Sequence, residues 1–236
     1  MKRIAKTCTA VGAAALFLAG CNAAEEPSGG DATDGGGGDD PVYAAMSAWD
    51  ACEVLDGLAP VTDEMGIVGW GSSTAEGGEP GSSAIGNTFD PDALGCNGLF
   101  NLGDYEGYTM SGEAQFKIVP AESAEAAATA YESRVAAAES DSAEGQDAVS
   151  EAFAGPWDQG TVVSWIGDAD QPYTEVVGQD GQWVFHIQLY HSNDYGLRGG
   201  GDPALAFTEE SLRQWLVDTY LPQVNQAVND RIAEAG

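Results

Sequence analysis

Nucleophilic catalysis needs a serine, cysteine or threonine beside a base that a third group orients. This 236-residue chain is short of bases, since its two histidines are His186 and His191. Side chains at an odd separation along a strand point to opposite faces, so this pair is not expected to share a metal or a proton. No Gly-x-Ser-x-Gly elbow occurs, and no Cys-x-x-Cys joins any of Cys8, Cys21, Cys52 and Cys96. A zinc site would need further histidine or cysteine ligands. Carboxylates are abundant, with pairs such as Glu209-Glu210 and Asp39-Asp40 among 38 acidic residues, so pairs arise by chance. Asp168-Ala169-Asp170 is too short a fragment of a calcium loop to count. The expectation is no catalytic constellation, no metal and no cofactor. An exported carboxylate-dependent hydrolase is the enzymatic alternative.

The other chemistry-bearing residues are of a binding type. Arg198 lies among glycines in Gly196-Leu197-Arg198-Gly199-Gly200-Gly201, where a lone guanidinium could capture a carboxylate or phosphate. The simpler reading is a solvated loop tip. His186, Gln188 and Tyr190 alternate with Trp183, Phe185, Ile187 and Leu189. The second set reads as a core face and the first as a wetter one. A ligand groove would lie between that wetter face and a loop, with His186 expected at the surface.

These residues need a frame. Val42, Met46, Trp49, Cys52 and Leu55 recur at helical steps, which predicts one helix over 42–58 after Pro41, ended by Pro60 and Gly66. Residues 70–98 are rich in Gly and Ser and read as a long irregular loop fastened at Cys96. Ala114, Phe116 and Ile118 alternate with polar partners in a half-buried strand that Pro120 ends. An Ala-faced helix runs from Ala121 to about Glu139, suited to packing closely on a sheet. Strands follow over Thr161–Ile166, Tyr173–Val177 and Gln182–Tyr190, the last two joined by a hairpin turn at 178–181. The final helix starts at the N-cap Thr208 with Glu209 and Glu210 in its first turn. Its buried stripe is Leu212, Trp215, Leu216 and Thr219, and Pro222 is expected to break or kink it. The order implies an α+β fold: an antiparallel β-sheet packed mainly on one face by helices, including a long C-terminal helix.

Ahead of that frame stands an address. Lys2, Arg3 and Lys6 precede the apolar run Val11–Ala19, too short to span a membrane, and together they read as an export signal. The run ends Leu18-Ala19-Gly20-Cys21 and resembles the bacterial lipobox, whose cysteine is acylated after cleavage. Residues 1–20 are thus expected to be a lipoprotein signal peptide. Residues 21–41 are an acidic Gly-rich segment without a large apolar side chain, expected to stay disordered as a tether. Residues 42–236 form a single domain. The expected location is the extracytoplasmic face of the cell membrane, held by lipid on Cys21. Losing Lys2, Arg3 and Lys6 leaves five of the eight basic residues against all 38 acidic ones, a charge near −33. That argues against nucleic acid, whose binding requires Lys and Arg to displace counterions.

An exported domain that keeps only Cys52 and Cys96 most simply bridges them. Trp49-Asp50-Ala51-Cys52-Glu53-Val54-Leu55 after an acidic tether, with Gly95-Cys96 as a second cysteine ahead of a strand, resembles exported actinobacterial lipoproteins that carry a domain of unknown function. The resemblance covers about residues 49–190, with Val54-Leu55 in place of the usual Leu-Leu. It implies a sheet-and-helix fold similar to the photosystem-II extrinsic PsbP-like proteins, and a non-enzymatic accessory or binding module. Its partners would be an envelope protein or a small-molecule or lipid ligand. A lipid or small-ligand carrier is the further alternative.

Overall fold

The computed structural model describes residues 40–235. The signal segment, Cys21 and nearly all of the tether lie outside the described residues. Eight strands form one antiparallel sheet: β1 (Gly69–Trp70), β2 (Gly81–Ser83), β3 (Leu94–Tyr105), β4 (Tyr108–Pro120), β5 (Gln146–Ala152), β6 (Gln159–Ile166), β7 (Pro172–Asp180) and β8 (Trp183–His191). Their order is β1-β3-β4-β8-β7-β6-β5, with β2 also on the β3 edge. The register aligns Cys96, Phe116, Ile187, Val176 and Val162 in one row on one face. All five are buried. The β7–β8 hairpin closes tightly at Gly181, whose φ of +50° suits glycine.

Helices cover that apolar face: α1 (Pro41–Ser47), α2 (Ala51–Val54) and α3 (Ala59–Met65) before the sheet. A fourth, α4 (Ala124–Ser142), instead crosses the opposite face over β6, β7 and β8. The short α5 (Tyr195–Arg198) sits in a loop, and α6 (Glu209–Trp215) and α7 (Leu221–Ala235) complete the C-terminal arm. Between arm and sheet, Phe116 meets Tyr220 edge-on at 5.7 Å and Trp157 packs on Trp183 at 5.1 Å. Leu212, Leu216 and Val228 are fully or almost fully buried. The expected α+β architecture is therefore present, with the main helical layer on one face and a single helix on the other.

Several elements differ from expectation for local reasons. The helix expected over 42–58 is split, because the Asp50 carboxylate accepts from the Cys52 and Glu53 amides and starts a new helix. Pro60 does not end a helix; it occupies the first turn of α3, where a missing N–H costs nothing. Gly66 then caps α3 in the left-handed conformation. The region 70–98 is not wholly irregular, since it contains β2 and the start of β3. Those strands are built on glycine and serine, which carry no alternation signal. Pro222 breaks nothing. A π turn over Leu216–Tyr220 precedes α7 and absorbs the proline. Its extra residue shifts the buried stripe by one position, so Tyr220 is buried and Thr219 exposed.

Cys52 and Cys96 are bridged, with Cα atoms 4.8 Å apart. The bond fastens α2 to β3 where Cys96 is fully buried. Closing a loop of 44 residues' separation should contribute about 4 kcal/mol through the unfolded chain's lost freedom. The double replacement Cys52→Ala/Cys96→Ala is expected to lower unfolding free energy by about that amount in guanidinium titration. An unchanged midpoint would show that the bridge does not restrain the unfolded chain.

Candidate functional site

The face of the sheet turned toward α4 carries most of the polar chemistry. The register sets Gly95, Lys117, His186, Val177 and Thr161 in one row, and Asn97, Gln115, Gln188 and Glu175 in the next. Helix α4 lies close over β6 to β8 because its contact face is Ala127, Tyr131 and Ala138, all buried. Tyr131 anchors it through a 2.6 Å hydrogen bond between its hydroxyl and that of Thr161. One turn on, Arg134 reaches back over the sheet. Its guanidinium donates to both oxygens of Asp90, at 2.8 and 3.1 Å. The planar fork matches a carboxylate in a way that a lysine does not.

Asp90 also receives Lys117, whose ammonium lies 3.4 Å away and donates to the side-chain Oε1 of Gln188 at 2.6 Å. Burial would raise the Asp90 carboxyl, but Arg134 and Lys117 outweigh it and hold it below the ordinary carboxylate range. Burial likewise pushes the Lys117 ammonium down, and Asp90 offsets only part of that. His186 lies between Arg134 and Glu175, with Nδ1 3.1 Å from the guanidinium and Nε2 2.9 Å from the carboxylate. An arginine can only donate. Nδ1 is therefore the acceptor, and Nε2–H donates to Glu175, which assigns a neutral ring. Burial drives the ring's pKa down against the pull of Glu175, in agreement with that tautomer.

Beyond this network the face opens. A cleft of about 400 Å³ lies over β2, β3 and β4, walled by the Ala84–Ala93 loop. Asn87 ties this loop together: its Nδ2 lies 2.8–3.0 Å from the carbonyl oxygens of Ala84, Asp90 and Ala93. Its Oδ1 accepts from the Phe89 and Asp90 amides. Asx bonding of this kind is a turn's own scaffold. On the braced loop Phe89 is 85% exposed, at the lip of the cleft. A second concavity of about 460 Å³ lies on the far side of Phe89, between the loop and α4, and shares Lys117 with the first.

The residues expected to bind separate into groups. His186 is only 4% exposed, so the expected surface position is corrected: α4 covers this half of the strand and the ring serves the network. Gln188 is half-buried and holds Lys117. Tyr190 is half-buried, donates to Glu113 at 2.9 Å, and stacks on Tyr173 at 5.3 Å. Burial, with Glu113 adding to it, pushes the Tyr190 phenol up to about 12. Arg198 lies elsewhere, at an exposed loop tip 4.0 Å from Asp170, in a loop shaped by Asp194 accepting from the Gly196, Leu197, Ala204 and Leu205 amides. His191 is buried on the other face, edge-on to Phe207 at 5.0 Å. Among the described residues no three His, Cys, Asp or Glu side chains converge to hold a metal ion.

Sequence reasoning missed Phe89, Asp90, Asn97, Lys117 and Arg134. Two of them carried a signal. Lys117 is the only lysine after Lys6, and it stands in a strand. Arg134 is the only basic residue on an Ala-rich helix. No family model, curated protein or solved structure matches the chain, so the site's own geometry carries the functional reading.

A histidine kept neutral in the fold binds fewer protons than the unfolded chain at acidic pH. Stability therefore falls as pH drops through the ordinary histidine range near 6.5. His186 and His191 are both held below that value by burial. Denaturant titrations from pH 7.5 down to about 5 should show this loss, and His186→Gln should show a shallower slope. An equal slope in the variant would mean that His186 titrates normally in the fold.

Proposed function

We propose that the chain is a lipid-anchored, extracytoplasmic binding module whose ligand site is the cleft beside Phe89. The observation that carries this reading is Phe89 itself. A phenylalanine 85% exposed gains nothing from water, while its loop is fixed by the hydrogen bonds that Asn87 gives through Nδ2 and accepts through Oδ1, and by the ion pairs of Asp90. A preorganised apolar side chain at the mouth of a partly polar cleft is the arrangement that ligand binding uses. Among the described residues the ionic groups of the cleft are already engaged, which favours binding over hydrolysis. Of the ionic side chains that line the cleft, Asp90 pairs with Arg134 and Lys117, and Glu113 accepts from Gln115 and Tyr190. The space between sheet and C-terminal arm is filled by Trp183, Phe116, Phe185 and Tyr220, which favours a surface cleft over a carrier's interior. The Cys52–Cys96 bridge accords with an oxidising compartment, and a lipid on Cys21 would hold the domain at the membrane.

Two measurements test this. Native mass spectrometry of the chain released gently from envelopes should show a reproducible adduct. Phe89→Ala should lose the adduct with its thermal midpoint unchanged. A clean apo mass for both proteins would overturn the cleft assignment. Separately, Cys21→Ser should abolish labelling by an alkynyl fatty acid and release the protein from membranes. Retention of label and membrane attachment would overturn the anchor.

A further inference from the structure

The geometry points to a neutral oligosaccharide as the ligand of this cleft, an inference that rests on the binding reading above and names its ligand class. Charge is the first consideration. The ionic side chains lining the cleft are Asp90, Glu113 and Lys117, and each is already engaged inside the protein. A charged ligand would find no counter-charge to pair with. An anion would also meet the field of a chain whose formal charge is −30.

The unspent polar atoms form a particular pattern. Asn97 Oδ1 is buried in the cleft wall with no hydrogen-bond partner among the described residues. The same amide donates to Ser83 Oγ at 3.1 Å. That bond occupies an acceptor position on the serine and leaves its own proton to be given. An acceptor and a donor thus stand side by side. A hydroxyl is both donor and acceptor, so a sugar hydroxyl, or two on neighbouring carbons, satisfies both where an apolar group satisfies neither. Gly95 makes the pair possible. A Cβ there would lie 2.5 Å from Asn97 Nδ2 and from Ser83 Oγ, so only glycine lets the two side chains meet above this stretch of β3.

The same cleft is lined by Leu99, two residues beyond Asn97 on the same face of β3, and by Phe89 of the loop, which are 43% and 85% exposed. A pyranose has a polar rim and apolar ring faces of C–H groups. It can lay one face on Phe89 while its rim reaches Asn97 and Ser83. The concavity of about 460 Å³ that shares Phe89 and Lys117 with the cleft gives room for a further sugar unit. An extended peptide is less well served. An extended strand has little to pair with on β3, whose edge at Gly95–Asn97 is taken by β2 and whose other edge is taken by β4; only the three-residue β2 leaves an edge open.

The test is calorimetric titration of the full chain with linear neutral oligomers of glucose, mannose, galactose, arabinose and N-acetylglucosamine, and with neutral polysaccharide released from the host envelope. Oligomers of a uronic acid and of glucosamine serve as charged controls. At least one neutral saccharide should bind with an affinity that rising salt leaves unchanged. Phe89→Ala should weaken it at least tenfold, equivalent to about 1.4 kcal/mol. Phe89→Trp should retain binding, and Asn97→Ala should weaken it without moving the thermal midpoint. If no neutral saccharide binds while the Phe89-dependent envelope adduct persists, the saccharide inference fails and the cleft assignment stands. If the adduct is absent as well, both fail. Salt-sensitive preference for either charged oligomer, or an adduct that proves to be a peptide, overturns the neutral-saccharide assignment.

Discussion

The carboxylate of Asp90 is where three separate parts of the molecule are joined. It belongs to the Ala84–Ala93 loop, pairs with Lys117 from the middle of β4, and takes the guanidinium fork of Arg134 from α4. These groups are largely removed from water, and an uncompensated charge at such depth is strongly destabilising. Loop, sheet and helix are therefore held to one arrangement. The network extends inward to His186 and Glu175 and sideways to Gln188, so that buried polar groups on this face satisfy one another. What remains unspent is confined to the open half of the face, where Asn97, Ser83 and Gln115 line the cleft.

This asymmetry follows from the sheet. A strand shows alternate side chains to its two faces, and β4 and β8 sit near the centre of the sheet with different demands on each side. On one side Phe116, Ile118, Phe185 and Ile187 are removed from water by the C-terminal arm and the N-terminal helices. On the other, a single helix covers the strands from β8 to β6 and leaves β2 to β4 uncovered. The covered half needs its charges neutralised, and the uncovered half is free to hold a ligand. The bridge between Cys52 and Cys96 acts on the same region from the core side. It anchors β3 beside β2, and both strands are cleft walls. Ser82 adds a further tie by donating to Asp50, the cap of α2.

Local rules read correctly where the signal was strong and local. Thr208 caps α6, Pro120 ends β4, the Ala-faced helix packs on the sheet, and Trp183, Phe185, Ile187 and Leu189 face the core. They failed where the signal was weak or where several outcomes were compatible with it. Gly69–Trp70 and Gly81–Ser83 pair as strands only because β3 offers them an edge. The polar β5 is likewise a strand because β6 is beside it. Asp50 split an apparently continuous helical stripe by capping, and the π turn rotated the final stripe by one residue at Tyr220.

For the site, the division is sharper. Residue order alone determined the alternation of β8 and the pairing of the last two cysteines. It placed Gln188 and Tyr190 on the side that borders the cleft. It also treated His186 as part of that wet face, because alternation tells which face a residue takes and not what lies over it. Only the tertiary structure decided that α4 buries His186 and stops short of Gln115. Only it brought Asp90, Lys117 and Arg134 together from positions far apart in the chain. Long-range charge pairing leaves no periodic trace in a sequence; it depends on which strands become neighbours, and that choice belongs to the folded chain as a whole.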